Sequence, residues 1–114
     1  MNDSIKQLQQ KIADFGNARD WEKFHSPKNL AMALSVEASE LVEIFQWLTE
    51  DESRSLDVEK KQAAAYELAD ILMYTLLCAD RMGIDLMEKT KEKIEINEKR
   101  FPLPKMQAER NSKK

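Results

Sequence analysis

Apolar residues recur along the chain at spacings of three and four, which is the period of an amphipathic α-helix. The first stripe consists of Ile5, Leu8, Ile12 and Phe15 and predicts a helix over roughly residues 4–18. The residues between these positions are mostly polar, so the predicted helix has one apolar face and one solvated face.

The segment 19–26, termed the connector, has no helical stripe and holds one Trp, one Phe and the chain's one His. We interpret it as an ordered connector. It ends at Ser26-Pro27, which indicates a helix start because Ser caps exposed backbone donors and Pro suits the first helical position. The predicted second helix begins near Pro27, and its stripe, with one glutamate inside it, runs through Leu30, Leu34, Leu41, Ile44 and Leu48.

Two more helices are predicted after a charged segment, 50–57, whose composition is typical of a loop. The third helix runs to Met82, with Gly83 as its C-terminal cap. Asp85 begins a capping-box pattern that starts a fourth helix ending at Pro102. With two glycines and three prolines the chain is too poor in turn residues for a β-sandwich or a βαβ array.

The fold class predicted from these elements is all-α, a four-helix bundle. We expect one domain over residues 1–104 and a polar tail over residues 105–114. The chain of 114 residues has a net charge of −3 and a pI near 5.3, which argues against binding nucleic acid through a basic surface. No apolar run approaches the ~20 residues of a membrane span. The N-terminal segment lacks the apolar stretch of a signal peptide. We therefore expect a cytoplasmic protein with no membrane partner.

Two acidic pairs lie on the apolar faces of the second and third predicted helices. Glu37 and Glu40 form one pair, Glu67 and Asp70 form the other, and each spacing of three places both carboxylates on one face. Four carboxylates buried together repel one another and take up protons unless a positive group lies between them. No lysine lies within residues 63–79 to supply that charge.

A divalent cation is the simplest source of that charge. Mg²⁺, or Mn²⁺ in its place, prefers hard oxygen ligands and commonly binds a few carboxylates together with substrate phosphates. The alternative is that both pairs are ordinary solvated surface acids. A di-iron carboxylate bundle is a further rival, but such sites use Glu-x-x-His motifs. The chain's one histidine, His25, lies outside both acidic motifs.

Lys93, Asn97 and Arg100 fall on one side of the fourth predicted helix. Two cations and an amide on one face suit the binding of phosphate oxygens. The alternative is that the two cations pair with Glu92 or Glu95 in water.

Aromatic side chains form two short clusters, and bases stack on such side chains with about 1–3 kcal/mol each. Asn29 and Gln46 lie near them in sequence and offer hydrogen bonds to a base edge. The alternative is that these aromatic residues are packed core residues. The clusters are Trp21, Phe24 and His25 in the connector, and Phe45 and Trp47 late in the second helix.

The spaced motif E-x-x-E and E-x-x-D, at Glu37, Glu40, Glu67 and Asp70, resembles the metal site of the all-α nucleoside triphosphate pyrophosphohydrolases of the MazG-like group. Residues 19–47, with W-x-x-F-H-x-P-x-N-L and F-Q-W, are similar to the dCTP pyrophosphatase branch. Residues 93–102 match its closing K-x-x-x-N-x-x-R-[YF]-P pattern.

This resemblance implies hydrolysis of a nucleoside triphosphate between the α and β phosphates, with Mg²⁺ held by the four carboxylates. It implies phosphate contacts from Lys93, Asn97 and Arg100, with Tyr74 as a further contact. It also implies a homotetramer built from tight dimers, with sites at subunit boundaries. The base and sugar pocket would be shaped by Trp21, His25, Asn29 and Trp47.

The sequence thus predicts a nucleotide-pool enzyme acting on dCTP or modified dCTP, with dATP as a further substrate. A water bound to the metal is expected to attack the α phosphorus. The alternative is that one of Glu37, Glu40 or Glu67 accepts the proton of this water as general base, and the sequence does not choose among them. A different class stays open, in which the bundle binds nucleotide or metal without turnover and acts as a sensor or interaction partner. A plain helical interaction module would bind no nucleotide at all.

Overall fold

The computed structural model of this protein describes residues 2–104, with side chains from residue 4 onward. The described residues form five α-helices and one 3₁₀ turn and contain no strand, so the predicted all-α class is confirmed. The helices are α1 (Asn2–Ala18), α2 (Pro27–Phe45), α3 (Glu50–Ser53), α4 (Val58–Arg81) and α5 (Leu86–Arg100), and the 3₁₀ turn is Glu22–Phe24.

The four long helices match the four predicted from periodicity. The chain divides into two compact units, with the division between residues 84 and 85. Assembly into an oligomer and a single domain over 1–104 stay predictions, and the predicted tail, 105–114, lies outside the described residues. None of the described helices combines the length and the apolarity needed to cross a membrane.

Two local predictions need correction. The charged segment 50–57, predicted to be a loop, contains the one-turn helix α3, because Thr49 and Glu52 form a capping box. Thr49 Oγ1 accepts from the backbone N–H of Glu52 at 3.1 Å, and Glu52 Oε1 accepts from the N–H of Thr49 at 2.8 Å. The second correction concerns the apolar stripe of α2, which continues to Leu48 although the helix itself ends at Phe45.

The core of the first unit lies where α2 and α4 pack against each other. The start of α2 meets the end of α4, since the Cys78 thiol is 3.9 Å from the carbonyl oxygen of Pro27, so the two helices are antiparallel. Helix α1 packs on α4 as well, and Gln9 Nε2 donates to the carbonyl of Leu76 at 3.2 Å. The buried apolar residues of the described chain are few: Leu30, Ala64, Leu76, Leu77 and Ala79.

Helices α1 and α4 end in the same C-terminal motif with different residues at its left-handed position. Trp21 N donates to Gly16 O and Ile84 N donates to Ala79 O, each at 2.9 Å, which is the long hydrogen bond of a Schellman motif. The left-handed residue is Gly83 in α4, with φ of 66°, but Asp20 in α1, with φ of 57°. A side chain at that position is strained, so α1 ends less favourably than α4.

Replacing Asp20 by glycine should therefore stabilise the protein. We expect Asp20→Gly to raise the free energy of unfolding by roughly 0.5–1 kcal/mol, because glycine adopts this conformation without steric cost. The exposed ion pair of Asp20 with Lys23 is lost, but pairs of this kind contribute little. Urea unfolding measures the change in the free energy of unfolding. Gly83→Ala is the matched variant and should lower this free energy. A lower stability for Asp20→Gly would contradict the assignment of strain.

Candidate metal centre and nucleotide site

The antiparallel packing of α2 and α4 places the two acidic pairs opposite each other. Pro27 lies beside Cys78. Counting ten residues forward along α2 reaches Glu37, and counting eleven back along α4 reaches Glu67. Both steps correspond to about 15 Å at 1.5 Å per residue, so the two glutamates come to the same level of the helix pair.

Three of the four predicted carboxylates form a close cluster. Glu37, Glu67 and Asp70 each contribute one oxygen, and these oxygens all lie within 4.8 Å of one another. The side chains are half-buried. Glu37 Oε2 and Glu67 Oε2 are covered from solvent and have no hydrogen-bond partner. Across residues 4–104, no lysine or arginine forms an ion pair with this cluster.

The fourth carboxylate, Glu40, lies at the edge of the cluster. It adjoins Glu37, whose carboxylate raises the pKa of Glu40, first by direct contact and then by its charge. The pKa of Glu37 is raised as well, chiefly by its contact with Glu67 and then by burial. Protons are therefore held more tightly here than on a free glutamate, which is the expected response of crowded carboxylates without a cation.

Tyr74 lies one turn beyond Asp70 on α4 and close to the same charges. Burial raises the pKa of its phenol, and the negative charges of Glu37, Asp70 and Glu40 raise it further. Tyr74 therefore keeps its proton at neutral pH and presents an O–H donor beside the cluster.

The residues of this cluster fit a divalent cation of the Mg²⁺ or Mn²⁺ class. Carboxylate oxygens are the ligands that these ions prefer, and the two covered oxygens without donors require a positive partner. No histidine belongs to the cluster. His25 precedes Glu37 by twelve residues and lies off the start of α2, so the donor set does not match a Glu-x-x-His iron site.

The connector holds its aromatic residues against the end of α1. The Trp21 ring meets Phe15 edge to face, with centroids 5.6 Å apart, and the Arg19 guanidinium lies 3.5 Å from the centre of the Phe15 ring. The half-buried His25 ring lies against Gly16, where an added methyl group would come 3.5 Å from His25 Cε1. Gly16 is a supporting residue that the sequence analysis missed, since only the folded chain brings it beneath His25.

Two predicted base contacts, Asn29 and Trp47, lie at opposite ends of α2. Asn29 is exposed in the first turn of α2, and its Nδ2 donates to the carbonyl of Phe24 at 3.0 Å. Trp47 lies beyond the other end of α2 and is 86% exposed. The 19 residues of α2, Pro27–Phe45, correspond to about 28 Å of helix between the connector and Trp47, so one chain does not bring Trp47 to the connector.

The three predicted phosphate contacts all lie on α5, in the second unit. Lys93, Asn97 and Arg100 are exposed on one side of this helix. Within the described residues neither Lys93 nor Arg100 forms an ion pair, and Glu92 pairs with Lys89 instead, at 3.2 Å. The alternative, in which Lys93 and Arg100 form ion pairs with Glu92 or Glu95, is therefore not observed.

The sequence of this chain has clear relatives. A sequence model described as the MazG-like family matches residues 32–114. The chain belongs to the MazG-like family. The predicted resemblance is thus confirmed, and the acidic cluster is a feature of a MazG-like chain.

Curated relatives of this MazG-like chain carry the name dCTP pyrophosphatase 1. The Homo sapiens protein is 38% identical over 101 residues, covering 87% of this chain and 59% of that protein. The Rattus norvegicus protein is 36% identical over 102 residues, covering 88% and 60%. This chain therefore spans about three-fifths of the length of these relatives.

A solved structure supports the fold of the MazG-like chain. A pyrophosphatase from Archaeoglobus fulgidus superposes with a TM-score of 0.83 at 38% identity, covering 88% of this chain and 94% of that one. The all-helical arrangement is therefore shared with a protein described as a pyrophosphatase.

The raised pKa of Glu37 predicts how metal-free stability depends on pH. In the range between the ordinary glutamate pKa and the raised value, the folded chain binds more protons than the unfolded chain, so stability falls as pH rises. Glu37→Gln removes this effect. We expect the variant to gain stability relative to wild type between about pH 5 and about pH 7.5.

Thermal unfolding at the two pH values measures this difference, with the exposed Glu98→Gln on α5 as control. Adding Mg²⁺ at the higher pH should raise the Tm of wild type more than that of Glu37→Gln, since a ligand that binds the folded state stabilises it. If the difference in Tm between wild type and Glu37→Gln does not change with pH, the proposed crowding of the carboxylates is contradicted.

Proposed function

We propose that this chain is a metal-dependent nucleoside triphosphate pyrophosphohydrolase that releases pyrophosphate and a nucleoside monophosphate. The observation that carries the proposal is the cluster of Glu37, Glu67 and Asp70, with two covered oxygens that lack a donor. Its place in a MazG-like chain, with relatives named dCTP pyrophosphatase 1, supports the α–β phosphoanhydride as the bond that is cleaved.

Mg²⁺ is the proposed cofactor, held by Glu37, Glu67 and Asp70 with Glu40 at the edge. When bound, Mg²⁺ supplies charge neutralisation for the triphosphate and makes water at the α phosphate more acidic. Mn²⁺ has the same preference for oxygen ligands and would replace it.

The other candidate side chains have distinct proposed roles. Among the three candidate bases, Glu40 is favoured, because it adjoins Glu37 without belonging to the close group of three, which leaves its carboxylate free to accept a proton. The protonated Tyr74 donates to a phosphate oxygen. The cations of α5, Lys93 and Arg100, bind the phosphates together with Asn97, which is supported by the lack of an ion pair to either cation among the described residues.

The proposed substrate is dCTP or a modified dCTP, with dATP as a second substrate, and the proposed role is removal of surplus or damaged nucleotides. Support comes from the relatives' name and from exposed aromatic side chains. Trp21 is 44% exposed and Trp47 is 86% exposed, so both side chains are accessible to a base. His25 completes the proposed pocket.

Chromatography of dCTP incubated with the protein and Mg²⁺ tests this function. We expect dCMP and pyrophosphate from wild type, no product with a chelator, and at least about a 10–100-fold lower rate for Glu67→Gln, as for other losses at metal sites. Glu59→Gln, an exposed glutamate on the same helix, is the matched control and should keep the wild-type rate.

The outcomes separate the two classes of function. If the triphosphate binds but is not hydrolysed, the enzyme proposal is wrong. The alternative then holds, in which the bundle binds nucleotide or metal and acts as a sensor. A panel of canonical nucleotides decides the substrate, and turnover of dUTP alone would overturn the proposal of dCTP.

We further propose a homotetramer, a dimer of dimers in which a second chain completes the base pocket. The length of α2, about 28 Å for 19 residues, supports this, because one base cannot reach both the connector and Trp47. The small buried core supports it too. Large apolar side chains on α2 and α4 are left exposed, which is typical of association surfaces: Met32, Val36, Val42, Tyr66, Leu68 and Leu72.

Sedimentation equilibrium measures the assembly. We expect a mass about four times that of the 13.3 kDa chain. Leu68→Glu should shift the distribution toward smaller species because it places a charge in an apolar interface, whereas Lys61→Glu on the same helix should not. A wild-type monomer at micromolar concentration would contradict the tetramer.

A further inference from the structure

The connector needs side-chain anchors because most of it is not regular helix. At its start, the backbone N–H of Trp21 donates to Gly16 O at 2.9 Å. In its middle, Glu22 lies 3.9 Å from the Arg81 guanidinium at the end of α4. These contacts fix the first half of the connector, and the backbone N–H of His25 donates to Glu22 O at 3.0 Å.

The second half is held by Asn29. In a capping box, the third residue of a helix is a Glu or Gln whose side chain accepts from the N–H of the capping residue. Asn29 occupies that position in α2, and its own N–H donates to Ser26 Oγ at 3.1 Å. Its side chain instead reaches back five residues and donates to the carbonyl of Phe24 at 3.0 Å.

The direction of this hydrogen bond determines which residue can make it. A carbonyl oxygen accepts only, so the contact requires an amide N–H, and a carboxylate of the same shape would place two acceptors together. The bond occupies one of the two N–H groups of Nδ2, the group that would donate to a base edge. The bond also fixes the carbonyl that directly precedes His25.

We propose that Asn29 is a positioning residue that acts through the connector, and that it sets the placement of His25 against the nucleotide rather than reading the base itself. The inference rests on the proposed function for its consequence in catalysis. The hydrogen bond to Phe24 exists without substrate, so it can be tested separately.

Hydrogen exchange of the nucleotide-free protein tests the anchor. Asn29→Asp keeps the shape and adds a charge that is favourable at a helix start, so loss of α2 would not explain its effect. We expect the amides of Phe24 and His25 to exchange about fivefold faster, as for loss of one hydrogen bond. Ser26→Ala, which removes only the cap, should leave them unchanged. Unchanged exchange in both Asn29→Asp and Asn29→Ala would overturn the anchor.

Kinetics test the role. For a positioning residue, Asn29→Asp and Asn29→Ala should raise KM about five- to tenfold for dCTP, dTTP and dATP alike, with kcat nearly unchanged. The same substitutions should have no further effect in a His25→Ala background. A changed ratio between bases in Asn29→Asp, where a donor becomes an acceptor, would overturn the proposal and assign direct reading of the base.

The two tests fail separately. If wild type turns over no nucleotide, the proposed function is wrong, while the exchange rates still decide whether Asn29 holds the connector. If wild type is active and the effects of Asn29→Ala and His25→Ala on KM are additive, the positioning role is wrong and the enzyme proposal stands.

Discussion

Repulsion between like charges on α2 and α4 is the constraint on which the first unit depends. Three carboxylate oxygens lie within 4.8 Å of one another, and two covered oxygens have no donor. The raised pKa values of Glu37 and Glu40 are the direct consequence. A chain without a cation at this site folds against this repulsion, so other contacts must hold the two helices together.

Those contacts lie away from the acids. Both helices begin with a side-chain cap, Ser26 in α2 and Asp57 in α4. The buried residues Leu76 and Leu77 lie near the other end of α4, where α1 adds the bond from Gln9. The carboxylates therefore sit in the middle of α2 and α4, away from the ends where helices fray, and their spacing is kept without any attraction among them.

The sequence predicted that Glu37, Glu67 and Asp70 come together because the signal is local. Two carboxylates on an apolar stripe are unusual on either helix, and antiparallel packing of the two helices brings them to the same level. Glu40 lies at the edge of the cluster because of the direction of its side chain, and the spacing of residues along the sequence does not determine that direction. Helix α3 was missed because the Thr49–Glu52 capping box is hidden within a segment whose charge resembles a loop.

The placement of the connector depends on tertiary contacts, which the periodicity of the sequence does not reveal. The amide of Asn29 could equally have faced a ligand, and only the fold shows that it donates to Phe24. In the proposed enzyme, phosphate chemistry and base contact are therefore assigned to different parts of the first unit. The phosphate chemistry depends on the α2–α4 pair, whereas contact with the base depends on a connector held by a few polar bonds. Because these bonds involve none of the four carboxylates at the metal centre, a change in the connector can weaken contact with the base while the metal centre stays intact.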